Sequence, residues 1–219
     1  FTTTRSNGEE RRETTRQTTR DFVRERGVQL AINAHFFTPW PPEDVFADLL
    51  GVAYSDGERV SDFEDPWAVG LMIEADGDAA IVEATRGTAG AFRWTPELVP
   101  DDAIGSRERI LTNGENTATW EELHPRTAAG VTDDGLIVLA VVDGRQPGMS
   151  EGMTTPELAD LMAQFGATNA INLDGGGSST LVVADPAPRV VNDPVGFVVV
   201  GSERDNGSAF GVYAAPFSP

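Results

Sequence analysis

Three consecutive glycines, Gly175 to Gly177, set between Asp174 and the pair Ser178-Ser179, constrain this chain more than any other feature of its sequence. Glycine loses more backbone freedom on folding than any other residue, so such a run persists where the chain must turn tightly or let another group approach its backbone. The run follows an apolar stretch from Ala167 to Leu173 that opens after Gly166 and reads as a short strand. Successive N–H groups in a turn of this kind form a nest that suits anionic oxygens. No lysine follows the glycines, which excludes a P-loop, and the spacing is not the dinucleotide fingerprint. A plain hairpin turn accounts for Gly175 but not for three glycines flanked by Asn172, Asp174, Ser178 and Ser179.

A length of 219 residues is enough for one full hydrophobic core. The 16 basic residues are all arginine, and 35 acidic residues set the net charge at −19. That balance excludes nucleic acid as a partner, because a phosphate backbone calls for a basic face. An anionic substrate would need local arginines or a bound cation to overcome the global field. The absence of cysteine excludes disulfides and thiol catalysis, and two histidines, His35 and His124, are too few for a structural zinc site of the usual kind. No apolar run approaches the ~20 residues of a membrane-spanning helix. The chain begins at Phe1 with neither a methionine nor a signal peptide, as a processed chain would. An extracellular or cell-envelope location is the expectation.

The arginine-rich stretch from about Glu9 to Arg26 lacks glycine and proline, and Gly27 supplies a stop, which predicts a surface helix followed by a strand from Val28 to Ala34. Pro39-Trp40-Pro41-Pro42 predicts a loop. Alternating segments on either side of Ala75-Asp76-Gly77-Asp78, and again of Asp133-Asp134-Gly135, predict two hairpins. The second leads into Asp143-Gly144-Arg145. Thr154 and Glu157 form a capping box ahead of Leu158, Leu161, Met162 and Phe165, which lie on one face of a helix closed by Gly166. Further strands are expected at Thr180–Val183, Arg189–Val191, Val195–Val200 and Ala209–Tyr213. The helix–strand unit of residues 154–173 approximately echoes that of residues 9–34.

The segment from Asn172 to Thr180, preceded by Val142-Asp143-Gly144-Arg145 and Thr154-Thr155-Pro156-Glu157-Leu158-Ala159, resembles the phosphodiester glycosidase family. Ala31-Ile32-Asn33-Ala34-His35-Phe36-Phe37, Pro125-Arg126-Thr127-Ala128-Ala129-Gly130, Val191-Asn192-Asp193-Pro194 and Glu203-Arg204 resemble further segments of that family, in the same order, across residues 28–213. The Asp-Gly-Gly-Gly-Ser segment is the most specific of these. Ala34-His35 departs from the two glycines common in the family. The resemblance implies a single α+β domain with a curved mixed β-sheet and helices packed against it. Residues 1–27 would be an N-terminal helical segment of that domain and residues 28–219 its catalytic part.

The implied activity is hydrolysis of a sugar-1-phosphodiester, releasing a sugar and a phosphomonoester. Expected catalytic residues are Asp174, Asp143, His35 and Glu157, although capping alone accounts for Glu157. Expected substrate contacts are Asn33, Arg126, Thr127, Arg145, Asn172, Gly175, Gly176, Gly177, Ser178, Ser179, Asn192 and Arg204. A guanidinium fork holds phosphate oxygens bidentately, and carboxylates meet the positive charge that develops on the sugar. On this reading Asp174→Asn abolishes turnover with the melting temperature nearly unchanged. No cofactor is required. A divalent cation, Ca2+ or Mg2+, would accept the oxygens of Asp143, Asn172 and Asp174, but nothing in their spacing demands one. Two alternatives stay open: a glycoside hydrolase or lyase acting on a non-phosphorylated polysaccharide, and a non-catalytic carbohydrate-binding envelope module.

Overall fold

The computed structural model describes residues 1–87, 92–196 and 199–214. Helix α1 (Thr19–Arg26) begins where the Thr18 side chain accepts a hydrogen bond from Asp21 N–H, and ends at Gly27, whose left-handed conformation lets its N–H reach Val23 O. The helix expected from Glu9 is therefore shorter than predicted. Residues 8–13 are turn and bend, and Thr14–Thr15 pairs with Phe46 and Ala47. Two causes act together: β-branched threonines favour extended backbone, and Arg11 and Arg12 are drawn to Asp44, Glu43 and Asp48 on the neighbouring segment. Helix α2 (Thr155–Gln164) has the expected capping box, with Glu157 N–H donating to Thr154 Oγ1 and Thr154 N–H to the Glu157 carboxylate. Gly166 follows it at φ +89°.

The strands form four sheets. The first runs Thr2–Thr3, Ala209–Val212, Leu30–Asn33, Leu181–Ala184, Pro188–Val190, so the N-terminal residues complete a sheet with the C-terminal strand. The second runs Phe92–Thr95, Ala79–Arg86, Val69–Ile73, Asp102–Ser106, Ala53–Ser55, Glu58–Ser61, and contains the first predicted hairpin. The third runs Glu115–Asn116, Glu108–Thr112, Ala167–Asn172, Arg126–Thr132, Ile137–Val142, and contains the second hairpin. A small fourth sheet joins Thr14–Thr15, Phe46–Leu49 and Phe37–Thr38. The strand expected at Val195–Val200 is reduced to isolated bridges in its described part, and residues 197 and 198 lie outside the described residues.

One apolar core joins the three large sheets: Ile32 and Phe210 from the first, Leu71, Ile81 and Ile104 from the second, Ala129, Ile171 and Leu173 from the third and its edge. The helices cover outer faces. Phe22 and Val23 of α1 pack on Ala31, Val182 and Ala209 of the first sheet. Leu158, Ala159 and Met162 of α2 pack on Ile110, Leu111, Ala128 and Ala170 of the third. Full burial of Leu158 or Met162 stabilises the domain by roughly 1.5–3 kcal/mol each. The result is a single α+β domain of curved sheets with helices against them. No helix among the described residues is long and apolar enough to cross a membrane.

His35 belongs to this framework. It is fully buried, with Nδ1 2.7 Å from Ser208 Oγ and Nε2 2.9 Å from both the Val52 carbonyl and the Gly105 amide. Burial pushes its pKa down to about 4, so the ring is neutral at pH 7. It stitches the first sheet to the second and does not line the pocket described below.

Candidate active site

Two strands that each follow a helix, Leu30–Asn33 after α1 and Ala167–Asn172 after α2, end close together, because Asn33 Nδ2 donates to Asp174 O at 2.5 Å. Beyond the second strand the glycine run makes a single turn of 3-10 helix, Gly176–Ser178. A Cβ on Gly175 would lie 2.7 Å from Pro125 O, and one on Gly177 would lie 2.4 Å from Gly196 O. Both glycines are thus required by close backbone approach. Gly176 has φ +61°, and a side chain there would strike the Arg145 guanidinium. Its N–H donates to Pro125 O at 2.8 Å, so the nest has one donor fewer than the sequence suggested.

Over this floor opens a pocket of about 420 Å3. Arg126, Arg145 and Arg204 surround it, with Asp174, His124, Glu122, Trp120, Trp40 and Phe36 completing the wall. Arg126 leads its strand and is clamped by two carbonyls: Nε donates to Met153 O at 2.8 Å and Nη2 to Glu122 O at 2.6 Å. Arg145 sits in the left-handed region at φ +57°, a conformation uncommon for a side chain of its size. Its guanidinium lies over Gly176, with Nη2 3.3 Å from His124 Nδ1. Arg204 donates from Nε to Ser178 Oγ at 2.9 Å, lies 4.2 Å above the Trp40 ring and pairs with Asp174 at 3.5 Å. Arg126 and Arg145 have no ion-pair partner among the described residues, which makes the pocket a cationic spot in a strongly acidic chain.

Asp174 is the one buried carboxylate of the lining. Burial raises its pKa to about 6, against the opposing pull of Arg204, the Ser178 hydroxyl and the Gly175 N–H. Ser178 Oγ donates to the carboxylate while accepting from Arg204, and so links the two charges. The pKa of His124 is lowered by burial and by the adjacent cations Arg145 and Arg126.

The structure divides the expected residues into two sets. Arg126, Arg145, Asp174, Gly175, Gly176, Gly177 and Arg204 line the pocket. The others stand behind it. Asn33 accepts from Thr127 Oγ1 and from Thr180 N–H while it holds Asp174 O. Thr127 also reaches Ser179 Oγ at 3.3 Å, and Ser178 is wholly buried. Asn192 holds Ser179 O and Leu181 N–H and donates to Asp143. Asp143, expected to form a carboxylate pair with Asp174, stands apart from it. Its oxygens accept from Asn192 Nδ2 at 2.8 Å and from Asp193 N–H, and it is not part of the lining. Glu157 likewise lies outside, committed to its helix cap. Asn172 is buried with no hydrogen-bond partner for either side-chain polar atom, and its cross-strand neighbour Glu108 leaves Oε2 equally unpartnered.

Of the residues suggested to hold a cation, Asp174 lines the pocket, while Asp143 and Asn172 do not, and the Asp143 oxygens accept from Asn192 and Asp193. Among the described residues, Glu74, Asp76 and Asp78 have carboxylate oxygens within 4.8 Å of one another and could hold a divalent cation. They lie on an exposed hairpin turn outside the pocket. The wall residues that sequence reasoning missed are Trp40, Trp120, Phe36, Glu122 and Gly196, while His124 had stood out only as the neighbour of Pro125-Arg126. A tryptophan inside a proline-rich loop, three residues after the end of the family-like segment, was the available signal for Trp40.

A cationic pocket with one buried carboxylate over a glycine floor has the charge and shape to receive an anionic group. The phosphodiester glycosidase family model matches residues 26–213, and the chain belongs to that family. It is 41% identical over 183 residues to N-acetylglucosamine-1-phosphodiester alpha-N-acetylglucosaminidase of Mus musculus, an alignment covering 77% of this chain and 34% of the mouse protein. The catalytic domain of the zebrafish protein of the same name has a similar fold, with a TM-score of 0.69 at 20% identity, covering 91% of this chain and 68% of that one. A Burkholderia pseudomallei protein inferred to be exported gives a TM-score of 0.67 at 18% identity, covering 97% of this chain and 71% of that one. The chain spans about a third of the length of the curated relatives it matches.

Proposed function

We propose that this protein hydrolyses a glycosyl phosphodiester at the anomeric carbon, releasing a free sugar and a phosphomonoester. The observation that carries the reading is the combination of three guanidinium groups with a single buried carboxylate in one pocket. Ordinary glycosidases flank the scissile bond with two carboxyl groups, one of which protonates an alkoxide leaving group. A phosphomonoester, with its second pKa near ~6, leaves without that protonation. Arg126, Arg145 and Arg204 hold the phosphate and balance the charge gathering on it.

In this scheme water attacks the anomeric carbon. The C–O bond to phosphate breaks with its electron pair remaining on the phosphate oxygen, and the proton of the water passes to Asp174. The carboxylate must be ionised to receive it, and its pKa of about 6 leaves it so at neutral pH. Asn33, Thr127, Ser178, Ser179 and Asn192 act as positioning residues that hold the Asp174 turn. The reaction as written needs no metal, and an extracellular or cell-envelope setting suits a substrate of this class.

The test is product analysis in H2 18O with a panel of glycosyl phosphodiesters, with and without EDTA. Free sugar carrying the label and an unlabelled phosphomonoester are expected in both arms, with Asp174→Asn inactive. Label in the phosphate would mean P–O cleavage and would overturn the reading.

A further inference from the structure

A second chamber of about 270 Å3 adjoins the pocket, and the two share Phe36, Trp40, Asp174 and Arg204. Apart from Asp174 and Arg204, its walls are Phe36, Phe37, Trp40, Leu50 and Trp67, with no ionisable group among them. The rings are packed against one another, Phe36 on Trp67 at 5.1 Å between centroids and Phe37 edge-on to Trp40 at 6.1 Å. A cationic compartment and an aromatic one therefore meet along Phe36, Trp40, Asp174 and Arg204, where Asp174 is the one carboxylate. Arg126, Arg145 and His124 lie on the polar side only.

Resting on the activity proposed above, we propose that the aromatic chamber is the glycone subsite and the arginine pocket the phosphate subsite, so that the scissile C–O bond spans the Asp174–Arg204 junction. Heterolysis separates charge. The anomeric carbon and ring oxygen become positive while the departing phosphate gathers negative charge. Guanidinium groups favour the anion and oppose the cation, whereas aromatic faces attract a cation and pack against the C–H face of a pyranose. One orientation satisfies both ends of the bond. The sugar lies in the chamber that lacks Arg126 and Arg145 and whose one guanidinium, Arg204, is paired with Asp174, and the phosphate lies against Arg126 and Arg145. Asp174 at the junction then faces the anomeric carbon from the side of the developing positive charge. The chamber's polar capacity is confined to that junction, so it favours a glycone with an apolar substituent over one with a full set of free hydroxyls.

The experiment compares wild type, Trp67→Ala, Leu50→Phe and Arg145→Ala. It measures KM for a chromogenic glycosyl phosphodiester and the inhibition constant of inorganic phosphate. Trp67→Ala and Leu50→Phe should raise KM at least tenfold and leave phosphate inhibition within twofold, whereas Arg145→Ala should weaken phosphate inhibition at least tenfold. Leu50→Phe fills the chamber without opening a void and decides the matter if Trp67→Ala does not fold. Unchanged KM in the folded chamber variants, or a parallel loss of phosphate inhibition, overturns the subsite assignment while the activity stands. No turnover of any glycosyl phosphodiester by the wild type overturns the activity and the assignment with it.

Discussion

Asp174 carries two opposed obligations. Its burial raises the pKa from 3.8 to about 6, so the folded state holds the proton more tightly than the unfolded state does. The stability this confers is complete below the unfolded pKa and is lost as pH rises through the folded one; at pH 8 the ionised group costs on the order of 3 kcal/mol. Asp174→Asn should therefore do more than leave the melting temperature nearly unchanged. It should be more stable than wild type by about 1–2 kcal/mol at pH 8, less than the full cost because Arg204 loses its partner, and the gap should close below about pH 4. Urea denaturation at several pH values measures this, and an equal gap at all pH values would contradict it. For the wild type, kcat should rise through about pH 6 and then hold level, because the guanidinium groups facing the phosphate do not titrate in that range. A descending limb between pH 7 and 9 would require a titrating acid that this scheme lacks.

The two helix–strand units show how much can be read from a pattern and where reading stops. Both carry Ala-Ile-Asn at the strand end, Ala31-Ile32-Asn33 and Ala170-Ile171-Asn172, and both strands were legible as apolar runs closed by glycine-capped helices. Hairpins were legible for the same reason, since turn residues and alternation are local. What the two asparagines do was not legible, because it depends on which strand lies alongside. Asn33 faces Thr127, Thr180 and the Asp174 carbonyl and makes three hydrogen bonds through its amide, while Asn172 faces Glu108 and Ala128 and satisfies neither atom. The surroundings of Asp143 were hidden for the same reason, because an aspartate before glycine at a strand end looks alike whether it lines a cavity or, as here, accepts from the Asn192 side chain and the Asp193 N–H. Asn33→Ala should cost about 2–4 kcal/mol, by losing three hydrogen bonds and stranding buried partners, and Asn172→Ala less than about 1 kcal/mol. Equal losses in chemical denaturation would show that the Asn172 amide has partners in solution.

At the scale of the whole molecule, three sheets meet on one core and His35 is a polar stitch between them. The class and the glycine corner could be anticipated, whereas for this histidine the sequence left a partly buried structural place and a catalytic role equally open, since a lone imidazole in a family-like segment fits either. Its pKa is depressed from 6.5 to about 4, so the stability it contributes is present above pH 6.5 and is lost as pH falls toward 4, about 3 kcal/mol in all. Asp174 and Asp102, each raised to about 6, act in the opposite direction over the same interval. A folded His35→Gln variant should thus gain stability relative to wild type on acidification from pH 7 to 4. A constant difference would mean that the imidazole is solvated rather than sealed in.

Backbone from Pro125 on one side and Gly196 on the other leaves no room beneath the Gly175–Gly177 corner for even a methyl group. A ground so tightly wedged cannot mould itself to a new guest. Selectivity in this lineage should consequently drift through outer walls such as Trp40 and Trp120, and a library randomised at Gly175 and Gly177 should return glycine at both positions.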